Sequence, residues 1–356
     1  MLVKYGLDNF FTKQVQDNSL DFLARVICSH KKNFDVITNN GMKKALIKGS
    51  SIHYNNLFEN SLPKVGDFVL LDAHDDLLND TYFIKSILER KSILRRKLIG
   101  KEMQEQILAT NVDYAFVCLS TDMQFNIAKT QRIITACIDS NITPVIVLTK
   151  CDLVENPAIL LETLHNNFSH LIMGVSVKNS DSINKMADLL QGGKTGILVG
   201  SSGCGKSSIT NILLQREAQK VQDTSMMQDK GRHTTTARTI FTLSKGGCII
   251  DTPGIKEFAL WIEDDESIDK SFEVIANLAK HCKFSDCSHT QEKGCAILLA
   301  LENNQLDADS FNNYMKLKAE EKQVEIYKNQ YNKKIKEKQL SKKVKQAKIN
   351  KGIFRE

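Results

Sequence analysis

The sequence predicts a multidomain protein with an N-terminal β-barrel (OB-fold), a central α/β P-loop domain and a C-terminal α-helical zinc-binding domain. Three observations predict it. Short apolar runs separated by polar turns fill residues 1–98. A glycine-rich phosphate loop at residues 200–208 sits between a strand-like and a helix-like run. Three cysteines and a histidine then cluster within residues 282–295. The corresponding boundaries are 1–98 for the barrel, 99–265 for the nucleotide domain, 266–325 for the zinc domain and 326–356 for a basic helical or disordered tail.

In the first segment the runs from Leu20 to Cys28, Phe34 to Thr38, Lys44 to Lys48, Phe68 to Leu71 and Thr81 to Leu88 read as strands. Five short strands suit a small barrel, and an OB-fold fits the size, although strand number alone does not separate it from an SH3-like barrel. Arg90 to Lys97 reads as a basic linker leaving the barrel. From Asn111 onward, apolar runs alternate with helical stretches. Val112–Leu119, Pro144–Thr149 and Thr195–Gly200 have the character of buried parallel strands, with helices at 128–140 and 182–191 between them. That alternation predicts an α/β sheet covered on both faces.

The phosphate loop comprises Gly200, Ser201, Ser202, Gly203, Cys204, Gly205, Lys206, Ser207 and Ser208. Its glycines let backbone N–H groups close around phosphate at a helix N-terminus. Lys206 supplies charge to the β- and γ-phosphates, and the Ser207 hydroxyl is a candidate Mg²⁺ ligand. Asp251 ends another apolar run and begins Asp-Thr-Pro-Gly, where the carboxylate suits Mg²⁺ and the Gly254 N–H suits a γ-phosphate. Thr149, Lys150, Cys151 and Asp152 form the candidate base reader, because a carboxylate accepts both the N1–H and the 2-amino group of guanine. Thr149 stands where the common motif has Asn and has fewer hydrogen-bonding groups. Ser176, in a weaker second loop, is a further candidate. The base reader precedes the phosphate loop, the reverse of Ras-like order, so the domain reads as a circularly permuted GTPase.

On these motifs, together with Val65 to Asp67, Ala109 to Asp113 and Gly231 to Thr236, the chain resembles the ribosome small-subunit-dependent GTPase A family (RsgA/YjeQ) over residues 20–320. The resemblance implies cytoplasmic GTP hydrolysis with Mg²⁺, stimulation by the 30S subunit, contact with 16S rRNA and a role in late small-subunit maturation. It also places switch I at Gly231–Thr236. Ile255 occupies the position at which Ras-like enzymes carry a water-orienting glutamine, which makes His233 a candidate substitute, a structural or RNA-contacting histidine being the other reading.

Cys282, Cys287, His289 and Cys295 supply a closed Cys3His set, the pattern of one structural Zn²⁺. Beyond it, residues 326–356 carry eleven Lys/Arg against two Glu, a local charge of +9 in a chain of net +6, leaving about −3 elsewhere. A concentrated basic segment suits a polyanion, and a solvated helix end is the plainer reading. Tyr314, Leu317, Val324, Tyr327, Tyr331 and Ile335 recur at near-helical spacing, as either a docking stripe or an RNA-facing one, and the lysines beyond Ser341 suggest a disordered end. The 42% apolar and 25% charged shares suit a globular protein, and nine mostly scattered cysteines suit reduced thiols. No run is long enough to cross a membrane and no signal peptide is evident, so no membrane contact is expected; the chain is also expected to be a monomer. Competing readings are a P-loop ATPase or kinase, an RNA-binding protein with a vestigial nucleotide site, and a permuted GTPase of the large-subunit type.

Overall fold

A computed structural model describes residues 1–350 except 31–32, 48–61, 73–80, 99–103, 123–125, 222–237 and 252–264. The chain forms two compact units. One comprises Met1–Leu98 and Glu105–Trp261, and the other Ile99–Gln104 and Ile262–Glu356.

The barrel is built from β1 (Leu23–His30), β2 (Asn33–Thr38), β3 (Gly41–Ile47), β4 (Phe68–Leu71) and β5 (Thr81–Ile87). The order β1-β2-β3-β5-β4 closes through β4 pairing back onto β1, and β3 runs parallel to β5. This closed five-stranded path is the OB arrangement. Alternate residues point inward, so Ala24, Val26, Phe34, Val36, Val69 and Leu71 make the core. The strand expected from Leu20 starts three residues later. Asp17–Phe22 forms a 3₁₀ turn instead, in keeping with the turn-favouring Asp17, Asn18 and Ser19.

Arg90–Lys97 is not a linker. Ile93–Leu98 is strand β6, which pairs with β7 (Gln104–Thr110) as a two-stranded sheet. Arg96 Nε donates to Gln106 Oε1 at 2.8 Å. The α/β layer follows, with β8 (Tyr114–Ser120), β9 (Thr143–Thr149), β10 (Leu171–Gly174), β11 (Thr195–Gly200), β12 (Thr239–Thr242) and β13 (Cys248–Asp251). Its order is β10-β9-β8-β11-β13-β12, parallel throughout except for antiparallel β12. Helices α1 (Ile127–Asp139), α2 (Pro157–Asn167) and α3 (Ser180–Leu189) begin at Asn126, Asn156 and Asn179, whose side chains each accept a first-turn N–H. Helix α4 (Lys206–Val221) follows the phosphate loop. Successive β9 residues serve both faces. Val145 and Val147 pack with Ile183, Met186 and Ile209, whereas Ile146 and Leu148 pack with Ile134 and Leu164.

The barrel is fastened to this layer by polar groups, some of them in the Val65–Asp67 and Ala109–Asp113 motifs. Arg25 is 1% exposed. Its guanidinium donates to the Tyr5 carbonyl, Gly66 O (3.2 Å), Asn111 O (3.0 Å) and Thr195 Oγ1 (2.9 Å). A buried guanidinium is tolerated when its donors are satisfied in this way. Gly66 has φ +103°, and a Cβ there would strike the Thr110 carbonyl, so glycine is required. Asp67 receives both arms of Arg90 at 2.7 and 2.6 Å. Asn111 donates to Gly66 O at 2.9 Å, and Asp113 accepts the Thr195 N–H at 2.8 Å. Strand β1 also meets β12 at Cys28 and Thr239.

The second unit contains α5 (Asp265–Ser271), α6 (Glu273–Ala279), α7 (Ala296–Glu302) and the 43-residue α8 (Ala308–Asn350). Tyr314, Leu317 and Val324 are buried, so the first part of the apolar stripe docks. Tyr314 packs edge-on to Phe272 and donates to Asp269 at 3.1 Å, and Lys318 also reaches Asp269, at 2.7 Å. The side chains of Tyr327, Tyr331 and Ile335 lie outside the described residues. The backbone beyond Ser341 is helical as far as Asn350, in place of the disorder expected there. Among the described residues, no helix is long and apolar enough to cross a membrane.

Candidate nucleotide and metal sites

In a parallel α/β sheet, ligands bind beyond the carboxyl ends of the strands, where the chain reverses its direction of winding. Here β8, β9 and β10 progress to one side, after which the chain crosses to β11 on the other side of β8. The phosphate loop leaves β11 at that crevice. Gly200 (φ +145°), Gly203 (+81°) and Gly205 (+91°) take backbone conformations that L side chains rarely adopt, and a Cβ on Gly200 would meet the Cys118 carbonyl of β8. Lys206, the first residue of α4, donates from Nζ to Gly200 O at 2.8 Å and Ser201 O at 2.6 Å. Ser202, Ser207 and Ser208 are exposed at the loop and the first turn of α4. Cys204 turns inward against Cys118. The hydrogen bond between the two thiols lowers the pKa of Cys204 and raises that of Cys118.

The base-reader segment leaves the end of β9 on the same edge. Thr149 is buried, with its hydroxyl 2.7 Å from Cys204 O and 3.1 Å from Leu119 O. Threonine in place of asparagine therefore keeps a direct tie between this segment and the phosphate loop. Lys150 adopts φ +57° and pairs with Asp122 at 2.7 Å. Cys151 donates from Sγ to Leu148 O at 3.2 Å. Asp152 accepts from Ser176 Oγ at 2.6 Å and pairs with Lys178 at 3.1 Å. Ser176, first, and Lys178 hold the Asp152 carboxyl below the ordinary carboxylate range. Two loops that are separate in sequence are thus brought together.

Asp251 ends β13, which runs parallel to β11 with Ile250 opposite Ile197, so both strands deliver their ends to one edge. Gly254, Ile255 and His233, with the rest of the Gly231–Thr236 segment, lie outside the described residues. The interactions that sequence reasoning missed are the Thr149–Cys204 tie and the Asp122–Lys150 pair. A hydroxyl bonding to a distant carbonyl leaves no periodic signal.

In the second unit, the ligand atoms of Cys282, Cys287, His289 and Cys295 all lie within 4.8 Å of one another. Cys282 Sγ is 3.8 Å from Cys295 Sγ, and His289 Nδ1 is 3.6 and 3.5 Å from those two sulfurs. A tetrahedron with ordinary Zn–S and Zn–N bonds has edges of about 3.8 and 3.5 Å, so this donor set fits zinc. Glu292, not singled out from the sequence, organises the loop. It accepts the N–H groups of Ser288, Thr290 and Gln291 at 2.8, 2.9 and 3.1 Å. The Ser288 hydroxyl first, then the N–H groups of Ser288 and Gln291, keep its carboxyl far below the usual range.

The permuted strand order and the assembled phosphate and base loops define a P-loop GTPase, preceded in the chain by a barrel and followed by a Cys/His cluster. Residues 87–261 match the RsgA GTPase family, and residues 195–338 match a family described as 50S ribosome-binding GTPase. The chain is 35% identical over 319 residues to small ribosomal subunit biogenesis GTPase RsgA 1 of Oceanobacillus iheyensis, covering 88% of this chain and 89% of that one. It is 35% identical over 324 residues to RsgA 2 of Lactiplantibacillus plantarum, covering 90% and 89%. The fold is similar to that of YjeQ from Thermotoga maritima (TM-score 0.60, 22% identity, 84% of this chain and 98% of that chain). It is likewise similar to YloQ, a circularly permuted GTPase (TM-score 0.59, 22% identity, 85% and 95%). The chain belongs to the RsgA family of circularly permuted GTPases. It is a GTP hydrolase, and its GTPase domain implies Mg²⁺ with the nucleotide.

Proposed function

We propose that this GTPase is a cytoplasmic, monomeric late-assembly factor of the 30S ribosomal subunit, that it binds 16S rRNA and that the small subunit stimulates its turnover. The observation that carries the nucleotide part is the meeting of Asp152, Ser176, Thr149 and the phosphate loop on one sheet edge. The names of the relatives support the small subunit as partner, and the basic end of α8 supplies charge suited to RNA. In this reading Asp152 and Ser176 select guanine while Lys150 and Cys151 complete that loop. The loop N–H groups from Gly200 to Ser208 and the Lys206 ammonium hold phosphate, Ser207 and Asp251 hold Mg²⁺, and Gly254 reads the γ-phosphate. His233 is the proposed positioner of water, and the domain boundaries 1–98, 99–265, 266–325 and 326–356 are retained as proposals.

Turnover measured on free protein, with 30S subunits and with 50S subunits tests the partner. The expected result is slow free turnover and strong stimulation by 30S alone, falling steeply with added salt as RNA counterions compete. Equal stimulation by 50S would refute the small-subunit assignment and favour the reading suggested by the match over residues 195–338.

Base choice has its own test. Asp152→Asn exchanges a double acceptor for a group that also donates, so GTP binding should fall by about 1–3 kcal/mol while xanthosine triphosphate binding rises. Competition titrations with GTP, ATP and XTP report this directly, and ATP competing as well as GTP against the unaltered protein would count against guanine selection.

We further propose one structural Zn²⁺ at Cys282, Cys287, His289 and Cys295. Chelation, or Cys287→Ser, should unfold the 282–295 segment while GTP binding persists, because binding energy of the metal is folding energy for so small a core. Hydrogen exchange on the chelated protein is the measurement. Unchanged protection in that segment would contradict a structural metal.

A further inference from the structure

Away from the nucleotide and Cys3His sites, another group of metal-ligating side chains is already assembled on the barrel. Cys28, His30 and Asp35 bring one ligand atom each within 4.8 Å of one another. The backbone explains why. Cys28 and His30 are two apart on β1 and share a face, and Asp35 lies directly opposite Cys28 on β2. An irregularity in register between Val26 and Cys28 sets the start of this arrangement.

The contacts distinguish between two chemistries. Cys28 Sγ is 3.2 Å from His30 Nε2, and Asp35 Oδ2 is 3.4 Å from the same nitrogen. In a nucleophilic relay the carboxylate would bond the other ring nitrogen, orienting the imidazole toward the thiol. Here both neighbours converge on Nε2, which carries one proton or one lone pair and can serve both only through a shared, weaker bond. Three ligand atoms mutually within 4.8 Å are the donor set a cation site needs. An N–O edge of about 3.4 Å and an S–N edge of about 3.5 Å are those of a zinc-centred tetrahedron. A thiolate, a carboxylate and a neutral imidazole also balance the charge of a divalent ion.

We propose that Cys28, His30 and Asp35 bind a divalent, zinc-class cation through three protein ligands and one exchangeable position. The sulfur and imidazole select against Mg²⁺ and Ca²⁺. Cys28 is buried while His30 and Asp35 reach the surface, with side chains 46% and 33% exposed, so the fourth ligand comes from solvent. The position gives the ion something to act on. Thr239 is the register partner of Cys28 and donates to its sulfur at 3.5 Å, so a bound metal clamps the point where the barrel joins β12.

The test uses the full chain, washed on a chelating resin that leaves the tighter Cys3His site loaded, and titrated with Co²⁺ and then Zn²⁺. The unaltered protein should take up one further equivalent with a thiolate-to-cobalt absorption band. His30→Ala should lose that equivalent, and Asp35→Asn should bind at least about tenfold more weakly. Both substitutions sit at the surface, and melting of the metal-free proteins verifies that they fold. No further equivalent in the unaltered protein, or the same uptake in folded His30→Ala, would overturn the proposal.

Discussion

Lys206→Ala is expected to lower GTP turnover by about 10²–10³-fold, the usual cost of removing one preorganised charge from a transition state that spreads negative charge over phosphoryl oxygens. The side chain opens α4, and its ammonium lies at the mouth of the loop, bonded to the carbonyls of Gly200 and Ser201. Those bonds hold it within the loop proposed to receive phosphate. The loop backbone is set by the positive-φ glycines 200, 203 and 205, so the fold should survive, with stability lowered by about 1 kcal/mol or less. Single-turnover hydrolysis with saturating GTP, alongside a denaturation curve, separates the two effects. Turnover within about threefold of the unaltered protein would remove Lys206 from the catalytic machinery.

Arg90→Ala is expected to cost about 3–5 kcal/mol of stability, because it strands a buried carboxylate. The Asp67 side chain is fully buried and takes both arms of Arg90. Asp67 also accepts the Lys64 N–H at 2.8 Å, so the pair holds the turn between β3 and β4 against the start of β6. The midpoint of chemical denaturation reads the loss. Adding Asp67→Asn to Arg90→Ala removes the stranded charge and should restore part of it. A single-variant loss under about 1 kcal/mol would mean that water replaces the guanidinium and that the pair is incidental.

Arg90 also shows where reading the sequence stops short. Among the lysines and arginines of residues 90–97 it reads as part of a basic linker, and nothing local reveals that a buried aspartate twenty-three residues earlier claims it. Strands β8, β9 and β11 were legible because burial on both faces makes them continuous apolar runs. The phosphate loop was legible because its chemistry needs glycines at fixed spacing. Strand β6 was hidden because its residues Arg95, Arg96 and Lys97 read as a charged connector. Cys28, His30 and Asp35 were illegible as a group, since only the pairing register of β1 and β2 brings them together. The cluster of Cys282, Cys287, His289 and Cys295 was readable because its four side chains are local in the chain. The pairing of Ser176 with Asp152 could be suspected from sequence but depends on two strand ends meeting.

The permuted strand order has a consequence for how the protein is made. Synthesis runs from the N-terminus, and domains fold as they emerge. The barrel is complete before β8 begins, and β8, β9 and β10 can then pair among themselves. The flank of β8 that will receive β11 remains an open edge until the chain has been extended through Gly200. That edge carries Ala115, Phe116, Val117 and Cys118, all fully buried in the finished protein, and an unpaired apolar edge invites pairing with other chains. A nascent chain halted in this interval would carry the base-reading loop without a phosphate loop, and a sheet with one side unfinished. Moving the phosphate loop late in the chain therefore lengthens the period in which the protein is most prone to aggregate.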